Sequence, residues 1–474
     1  MSVYVGIDLG TQSVRAMAVT RTGEVLGSAA RPLTSHRDGP RHEQDPEQWW
    51  SQLCAATGEA LRDVPGDRIA GVAVDATSGT ILLSDDAGRA LTPALMYDDR
   101  RASAERVNEV GAEVWARLGY RRMQPNWALP KLLWLLPDAP AGARPAHQND
   151  FVNRRLVGHA VATDLSNALK TGVDLIEERW PLEVFDALGV PAAMLPDVVR
   201  PGSMLGTVCA QAAAETGIPA GTPVIAGTTD GCAAQLGAGA NRVGSWNSVL
   251  GTTLVLKGVT RDLIHDPLGV VYSHRAPDGG WLPGGASSTG AGVLTREFPG
   301  SDLDALSALA AARADLGDVT VYPLVSRGER FPFNAPEAEP FALGTPNDDV
   351  QKYAAIMRGA AFVERLCFDY LDLLGAPVDG ELILTGGGSK SAYGNQLRAD
   401  VLRRPVTLRE NAEPALGMAV LAAGNSDGMV RTRRVVDPAG ADLREPYLEF
   451  VEALERRGWL PGAAAAHARK RAAR

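Results

Sequence analysis

The amino-terminal stretch constrains the fold more than any other part of this chain, because its pattern returns halfway along the sequence. Residues 3–19 read Val-Tyr-Val-Gly-Ile-Asp-Leu-Gly-Thr-Gln-Ser-Val-Arg-Ala-Met-Ala-Val. Two apolar runs flank a segment of glycine and hydroxyl side chains, a pattern that predicts a strand, a tight turn and a second strand. Residues 245–256 repeat the arrangement. We infer two related domains, each with a turn that can bind phosphate, and a nucleotide held between them.

The residues of these turns suit an anion. Glycine lets the backbone approach a phosphate group, and threonine and serine add hydroxyl donors. Asp8 stands at the end of the first strand. It could hold hydrated Mg²⁺, an ion that usually takes one or two carboxylates and keeps several waters. The alternative is a plain β-hairpin with a solvated aspartate, since short glycine-rich matches are common.

Composition excludes several classes of function. The 474 residues suffice for two or three domains, and the formal net charge of −9 argues against a nucleic-acid partner, which needs a basic face. The four cysteines show neither CxxC spacing nor a nearby histidine set, so we expect a reducing compartment and no zinc site. We see no signal peptide and no apolar run of the roughly 20 residues that a membrane helix needs. The sequence therefore predicts a cytoplasmic protein without a membrane partner.

Apolar runs alternate with amphipathic segments along the chain, which is typical of α/β architecture. Residues 45–50 predict a helix that begins with an aspartate cap and a proline, and residues 69–75 predict a buried strand. A polar turn, residues 76–80, follows that strand where open α/β sheets bind ligands. We place the domain boundary near Val243, giving domains 1–242 and 243–450. The remaining tail, residues 451–474, ends in an Ala-rich basic run that we interpret as a frayed helix or disorder.

Six short blocks carry a resemblance to a known family. They are Gly-Ile-Asp-Leu-Gly-Thr at 6–11, Tyr-Asp-Asp-Arg-Arg-Ala at 97–102, Gly-Thr-Thr-Asp at 227–230, Leu-Gly-Thr-Thr at 250–253, Leu-Thr-Gly-Gly-Gly-Ser-Lys at 384–390, and Glu-Pro-Ala-Leu-Gly-Met-Ala at 413–419. In this order and spacing, the chain resembles the FGGY family of carbohydrate kinases. The resemblance implies an α/β fold with two actin-like ATPase (ribonuclease H-like) domains, a central cleft for the sugar, and ATP bound mainly by the second domain.

Asp230 matches the acid that follows the Gly-Thr-Thr turn of the family, and the resemblance implies that it is the catalytic base. A carboxylate there could accept the proton of the sugar's terminal hydroxyl during phosphoryl transfer. The alternative is a helix N-cap, since an aspartate before Gly-Cys-Ala-Ala can satisfy free N–H groups.

The resemblance also implies the nucleotide site. Asp8 would carry the Mg²⁺ through water, and the candidates for binding ATP are Thr11, Gln12, Ser13, Gly251, Thr252, Thr253, Gly387, Gly388, Ser389 and Asn395. The glycines at 387 and 388 end a predicted strand and open a helix, where backbone N–H groups suit a phosphate. Asn395 either touches adenine or only caps a turn.

The candidates for binding the sugar are Asp8, Ser78, Asp99 and Asp230. The hydroxyl of Ser78 could bond to a ketose oxygen, or the residue belongs to an ordinary polar turn. Asp99, in an aromatic-x-Asp-x-Arg block with Arg101, either binds sugar or pairs with that arginine. For Asp8, the alternative to the metal is a direct bond to the sugar.

Several short runs resemble D-ribulose kinases within the family. They are Asp-Ala-Thr-Ser-Gly-Thr at 75–80, Tyr-Ser-His at 272–274, Gly-Gly-Ala-Ser at 284–287 and the segment 322–332. We therefore expect ATP-dependent phosphorylation of a ketopentose, with D-ribulose as the first choice and xylulose, a ketoheptose or a polyol as alternatives. A function of another class is a sugar-binding actin-like ATPase without turnover. We expect a monomer or homodimer.

Overall fold

The computed structural model describes residues 1–313, 315–424 and 427–473. The chain forms two compact units. The first unit comprises Met1–Gly239, His274–Leu282 and Asn411–Arg431, and the second comprises Ala240–Ser273, Pro283–Glu410 and Thr432–Arg474. Both units are discontinuous along the chain, whereas the sequence suggested continuous domains that meet near Val243.

The described strands are numbered in chain order. They are β1 (Val3–Leu9), β2 (Ser13–Thr20), β3 (Val25–Pro32), β4 (His36–Asp38), β5 (Arg41–Gln44), β6 (Ile69–Ala76), β7 (Ile81–Ser84), β8 (Ala94–Leu95), β9 (Arg144–His147), β10 (Thr163–Asp164), β11 (Val198–Val199), β12 (Met204–Thr207), β13 (Pro223–Ile225), β14 (Trp246–Leu250), β15 (Leu254–Gly258), β16 (Tyr272–Arg275), β17 (Trp281–Ala286), β18 (Thr320–Tyr322), β19 (Phe341–Leu343), β20 (Leu382–Thr385), β21 (Val406–Arg409) and β22 (Thr432–Val436).

The described α-helices are α1 (Pro46–Ala60), α2 (Glu105–Arg117), α3 (Ala128–Leu135), α4 (Gln148–Val157), α5 (Leu165–Ala168), α6 (Leu182–Ala187), α7 (Ala210–Thr216), α8 (Asp230–Ala238), α9 (Gly292–Glu297), α10 (Leu303–Ala312), α11 (Asp349–Leu373), α12 (Ala392–Leu402), α13 (Pro414–Ala422), α14 (Arg444–Arg456) and α15 (Gly462–Ala472). Short 3₁₀ helices lie at Gly66–Arg68, Leu136–Asp138, Leu169–Thr171, Ala192–Met194 and Gly387–Lys390.

The main sheet of the first unit has the strand order β12-β13-β6-β1-β2-β3. Strand β1 pairs antiparallel with β2 and parallel with β6, so the predicted hairpin and the predicted strand at 69–75 are confirmed. Residues Val3, Val5, Ile7 and Leu9 of β1 pack into a core with Trp49 and Leu53 of α1. That helix begins as predicted, because the Asp45 side chain accepts a hydrogen bond from Glu47 N and Pro46 is its first residue.

The main sheet of the second unit has the order β16-β17-β15-β14-β20-β21-β22. Strand β14 pairs antiparallel with β15 and parallel with β20, and β20 is parallel with β21. Strands β14, β15 and β20 therefore have the same pairing as β1, β2 and β6 in the first unit. The repeat predicted from residues 3–19 and 245–256 is thus a repeat of topology.

Helices α8 and α13 of the first unit cross through small residues. A Cβ atom added to Gly237 of α8 would lie 2.3 Å from the carbonyl oxygen of Glu413, and one added to Gly417 of α13 would lie 1.9 Å from that of Ala233. Backbone atoms cannot move aside as flexible side chains do, so both positions require glycine. The crossing fixes the helix that begins with Asp230.

We expect Gly237→Ala to destabilise the chain by roughly 1–3 kcal/mol, since the methyl group must displace backbone. Gly231→Ala on the same helix is the matched control, because its Cβ would meet nothing within 4 Å. There the better helix propensity of alanine is expected to stabilise the chain by about 0.5–1 kcal/mol. Urea unfolding followed by circular dichroism gives both values, and equal effects of the two variants would contradict the close crossing.

The carboxyl-terminal residues differ from the frayed or disordered tail that the sequence suggested. Helix α15 packs against α11 and α14, and its residues Ala464, Ala465, Ala468 and Ala472 are buried in the core of the second unit. The alanines follow a helical spacing, so one face of a basic helix fits a tight groove, while Arg469 is exposed and Arg471 pairs with Asp369 at 3.1 Å. None of the helices in the described ranges is long and apolar enough to cross a membrane.

Candidate active site

Three aspartates gather at one edge of the first unit's main sheet. Asp8 and Asp75 face each other in the register of the parallel strands β1 and β6, near the carboxyl end of each. Asp230 is the first residue of α8, directly after a bridge between Ala76 and Thr229. Ligands of α/β sheets bind at the carboxyl ends of strands, so this edge is where chemistry is expected.

Burial and neighbouring negative charge raise the pKa of Asp8 and of Asp75. Burial, helped by the negative charge of Asp230, raises the pKa of Asp8 to about 6, while Asp75 and Arg15 oppose the rise. Asp75 is wholly buried. Burial and the charges of Asp8 and Asp230 raise its pKa well above the ordinary value. No N–H or hydroxyl donor of the described residues reaches its oxygens.

This arrangement predicts that Asp8 destabilises the fold at neutral pH. Because the folded pKa of Asp8 is raised from 3.8 to about 6, the folded chain binds more protons than the unfolded chain between these values. Its contribution to stability falls as the pH rises through that window, and the full penalty is present above it. Asp8→Asn should therefore raise the free energy of unfolding at pH 8 by up to about 3 kcal/mol. Near pH 4 the gain should vanish, and urea unfolding at both pH values checks this.

Asp230 is exposed, unlike Asp75. The N-cap of α8 is Thr229, and Asp230 is the first helical residue, so the N-cap alternative for Asp230 is wrong. Its Oδ1 accepts a hydrogen bond of 2.7 Å from Gly231 N. A carboxylate at this place is stabilised by the helix dipole and stays open to a ligand.

The residue before Asp230 is anchored by a side chain that no sequence motif indicated. The hydroxyl of Ser166 accepts from Thr229 N at 3.3 Å and lies 3.1 Å from Thr229 Oγ1. The same hydroxyl lies 2.9 Å from His274 Nδ1. All three side chains are buried. The pairing fixes the start of α8 and joins segments far apart in sequence.

The β1–β2 turn of the first unit is held by backbone bonds. Gly10 N donates to the carbonyl of Ser13 at 3.0 Å, and Leu33 N donates to that of Gln12 at 2.8 Å. Gln44 Nε2 donates to the carbonyl of Thr11 at 2.6 Å. Thr11, Gln12 and Ser13 lie at this turn, three to five residues after Asp8, and their role toward ATP stays a prediction.

The second unit brings its two predicted glycine segments together. Gly251 N donates to the carbonyl of Thr253 at 3.0 Å, and Gly292 N to that of Thr252 at 3.1 Å. Gly386 has φ 79°, and a Cβ there would lie 2.7 Å from the carbonyl oxygen of Leu250. The segment 386–389 therefore packs on the end of β14, where only glycine fits.

The surroundings of Gly387 leave room for a ligand, because an added Cβ would meet nothing within 4 Å. A 3₁₀ helix, Gly387–Lys390, separates β20 from α12, where the sequence suggested a direct passage from strand to helix. Ser389 Oγ donates to the carbonyl of Gly386 at 2.7 Å. Asn395 Nδ2 donates to the carbonyl of Ser389 at 2.7 Å, as in the capping alternative. Its Oδ1 has no partner among the described residues.

Several buried polar atoms near the end of β6 have no partner among the described residues. They are both oxygens of Asp75, the hydroxyl of Ser78 and Nε2 of Gln148. Gln148 lies close to this turn, since its Oε1 accepts from Thr77 N at 3.1 Å. Buried polar groups normally have partners, so such a group of unpaired atoms is suited to a ligand with several hydroxyls. Gln148 was missed because its position depends on the fold.

Asp99 lies in another setting. Its carboxylate accepts three hydrogen bonds from the Arg101 guanidinium group at 2.8–3.1 Å and one from His42 N at 2.9 Å. Although burial opposes the change, these donors lower the pKa of Asp99. The geometry favours the salt-bridge alternative, and binding of sugar by Asp99 stays a prediction.

Asp8 is the predicted carboxylate for a metal ion at this site. Within the described ranges, no three or more histidine, cysteine or acidic side chains are arranged to hold an ion. Asp8 fits such an ion, because its side chain is partly open and it lies near the end of β1, beside the β1–β2 turn. An ion such as Mg²⁺, which keeps most of its waters, suits such a place.

The two units, each with a glycine turn between its first two strands and a parallel strand beside the first, define an α/β fold of the two-domain actin-like (ribonuclease H-like) ATPase class. The chain belongs to the FGGY family of carbohydrate kinases, with residues 3–237 matching the family's N-terminal domain and residues 246–425 its C-terminal domain. It is therefore an ATP-dependent kinase of carbohydrates.

Three relatives illustrate the similarity. The chain is 31% identical to the xylulose kinase of Streptomyces rubiginosus, over 95% of this chain and 93% of the relative. It is 29% identical to the xylulose kinase of Escherichia coli K12, over 89% of each chain. The crystal structure of xylulose kinase from Rhodospirillum rubrum superimposes with a TM-score of 0.85 at 27% identity, covering 96% of this chain and 99% of that one.

Proposed function

We propose that this chain transfers the γ-phosphate of ATP to the terminal hydroxyl of a ketopentose, and that the ketopentose is xylulose. The carboxylate cluster of Asp8, Asp75 and Asp230 supports the reaction, since it places one exposed base beside two carboxyls of raised pKa. The relatives named xylulose kinase support the sugar. The cytoplasmic location expected from the sequence is part of the same proposal.

Asp230 would accept the proton of the sugar hydroxyl as the new oxygen–phosphorus bond forms and the bond to ADP breaks. Phosphoryl transfer needs little covalent help, so placing the hydroxyl and stabilising charge supply most of the rate. The unpaired atoms of Asp75, Ser78 and Gln148 would place the sugar by bonding to its hydroxyls. A ligand lacking those hydroxyls would leave the buried atoms unpaired, which penalises it.

Asp8 would hold a hydrated Mg²⁺, whose positive charge would offset the negative charge of the phosphates. Thr11, Gln12 and Ser13 of the first unit are one set of candidate donors for the nucleotide. Gly251, Thr252 and Thr253 of the second unit are another set. Gly387, Gly388, Ser389 and Asn395 form the other candidate nucleotide segment.

D-ribulose, the first choice from the sequence, has weaker support than xylulose. Two of the runs that resemble D-ribulose kinases meet around the buried Glu329. Its carboxylate accepts from Ser287 Oγ at 2.9 Å, Tyr322 Oη at 2.8 Å and Ser288 N at 2.7 Å. Glu329, Ser287 and Tyr322 are all at least 98% buried. These runs are accounted for by core packing, so they say little about the sugar.

A coupled assay of ADP release tests the proposal. With ATP and Mg²⁺, xylulose is expected to give the highest kcat/KM among xylulose, D-ribulose, a ketoheptose, pentitols and glycerol. A higher value for D-ribulose would restore the first choice from the sequence, and turnover of polyols alone would overturn the ketopentose proposal. Sugar binding without ADP release from any of these compounds would favour the non-catalytic sugar-binding class.

A further inference from the structure

A cavity of about 310 Å³ in the second unit is lined by four arginines and a single carboxylate. Arg365 lies on α11, Arg403 and Arg404 follow α12, and Arg471 lies on α15, with Asp369 as the acid. The whole chain has a formal net charge of −9. Such a concentration of positive charge in an acidic protein needs a physical explanation.

Arg471 pairs with Asp369 at 3.1 Å and with Asp372 at 3.4 Å. Among the described residues, no carboxylate lies within 4.0 Å of the other three guanidinium groups, those of Arg365, Arg403 and Arg404. Arg365 donates to the carbonyl of Val401 at 3.0 Å and stacks over the Tyr447 ring at 4.4 Å. Arg404 donates to the carbonyl of Gly380 at 2.7 Å. Carbonyl bonds use only part of the five N–H donors of each group and add no negative charge.

The backbone also brings two successive arginines to the cavity. Arg403 ends α12 in the left-handed region with φ 52° and ψ 39°, a conformation that side chains other than glycine and asparagine rarely adopt. Burial lowers the pKa of Arg404. The negative charge of Glu364 opposes this change, and repulsion from Arg471 adds to it. The positive charge of these arginines is therefore unfavourable in the folded chain, and a bound anion would stabilise it.

We propose that this arginine pocket binds the dianionic phosphate group of inorganic phosphate or of a phosphate monoester. Guanidinium groups recognise phosphate through paired N–H donors, and the cavity accommodates a group of that size. The pocket is separate from the proposed nucleotide site, because α12 runs its 11 residues, about 16 Å, between the segment 386–389 and Arg403.

The test measures binding of phosphate to the full chain by calorimetry and by the shift of melting temperature, with sodium chloride at matched ionic strength as the blank. Arg403→Asn removes one charge and keeps a residue tolerant of the left-handed region. Arg404→Gln removes the positive charge of the second arginine. Arg433→Gln, at an exposed position of β22, is the matched control. We expect at least about tenfold weaker phosphate binding in the two pocket variants and none of that loss in the control.

Binding of phosphate at the active site would persist in all variants, so the difference between variants reports the pocket alone. Arg403→Asn keeps the test valid if Arg404→Gln fails to fold. Unchanged affinity in Arg403→Asn, equal loss in Arg433→Gln, or no phosphate binding by the wild type would overturn the proposal. Parallel titrations with inorganic phosphate and ribose 5-phosphate distinguish the free ion from a sugar phosphate as the ligand.

Discussion

Asp230→Asn is expected to lower the sugar-dependent kcat by about 10²–10⁴-fold while the affinity for ATP stays nearly unchanged. The amide keeps the shape of the side chain but cannot take the proton of the attacking hydroxyl. Asp230 is exposed, so the substitution removes no packing, and any loss of rate reflects chemistry. Steady-state ADP release gives kcat, and calorimetry with a non-hydrolysable ATP analogue gives the affinity.

Asp349→Asn is the matched control for this experiment. Asp349 is also an exposed aspartate at the first position of a helix, α11, so both substitutions lose the same favourable interaction with a helix dipole. The control variant should keep wild-type kcat and a similar free energy of unfolding. Near wild-type turnover of Asp230→Asn would remove Asp230 from the mechanism.

The local elements of the fold were predictable because their signals are local. The hairpin β1–β2 follows from apolar runs around a glycine turn, and the start of α1 follows from Asp45 and Pro46. The assignment of residues 411–431 to the first unit was not predictable, because it rests on the glycine crossing between α8 and α13. Nothing in the sequence near Gly417 indicates that Ala233 is its neighbour in the fold.

The same limit applies to the site. Asp8 and Asp230 follow from motifs, but Asp75 joins them only through the parallel register of β1 and β6. The sequence did contain a signal for Asp75, because this residue follows a buried apolar run as Asp8 does. The register between β1 and β6, which lie about 60 residues apart in the chain, cannot be read from the sequence of either strand. Ser166 and Gln148 lack even that signal, because each acts through one tertiary hydrogen bond.

Asp8→Asn is expected to abolish most turnover, by about 10²–10³-fold, although the variant should be the more stable protein at pH 8. Burial, helped by the negative charge of Asp230, raises the pKa of Asp8 to about 6, so the amide relieves an unfavourable buried charge. The same substitution removes the charge that would hold the cation. Substitution of a residue that serves function at the expense of stability lowers turnover and raises the free energy of unfolding. Substitution of a structural residue would lower both.

Measurements of sugar binding without nucleotide separate the two roles considered for Asp8. If it holds Mg²⁺, the affinity for xylulose should change little in Asp8→Asn while the Mg²⁺ concentration needed for residual activity rises. Asp38→Asn, at an exposed aspartate that ends β4, should change neither quantity. If instead Asp8→Asn loses sugar binding and its residual activity keeps the wild-type Mg²⁺ dependence, Asp8 binds the sugar directly. The cation that offsets the negative charge of the phosphates would then have to be held elsewhere in the site, since no other carboxylate of this cluster is both partly open and adjacent to the β1–β2 turn among the described residues.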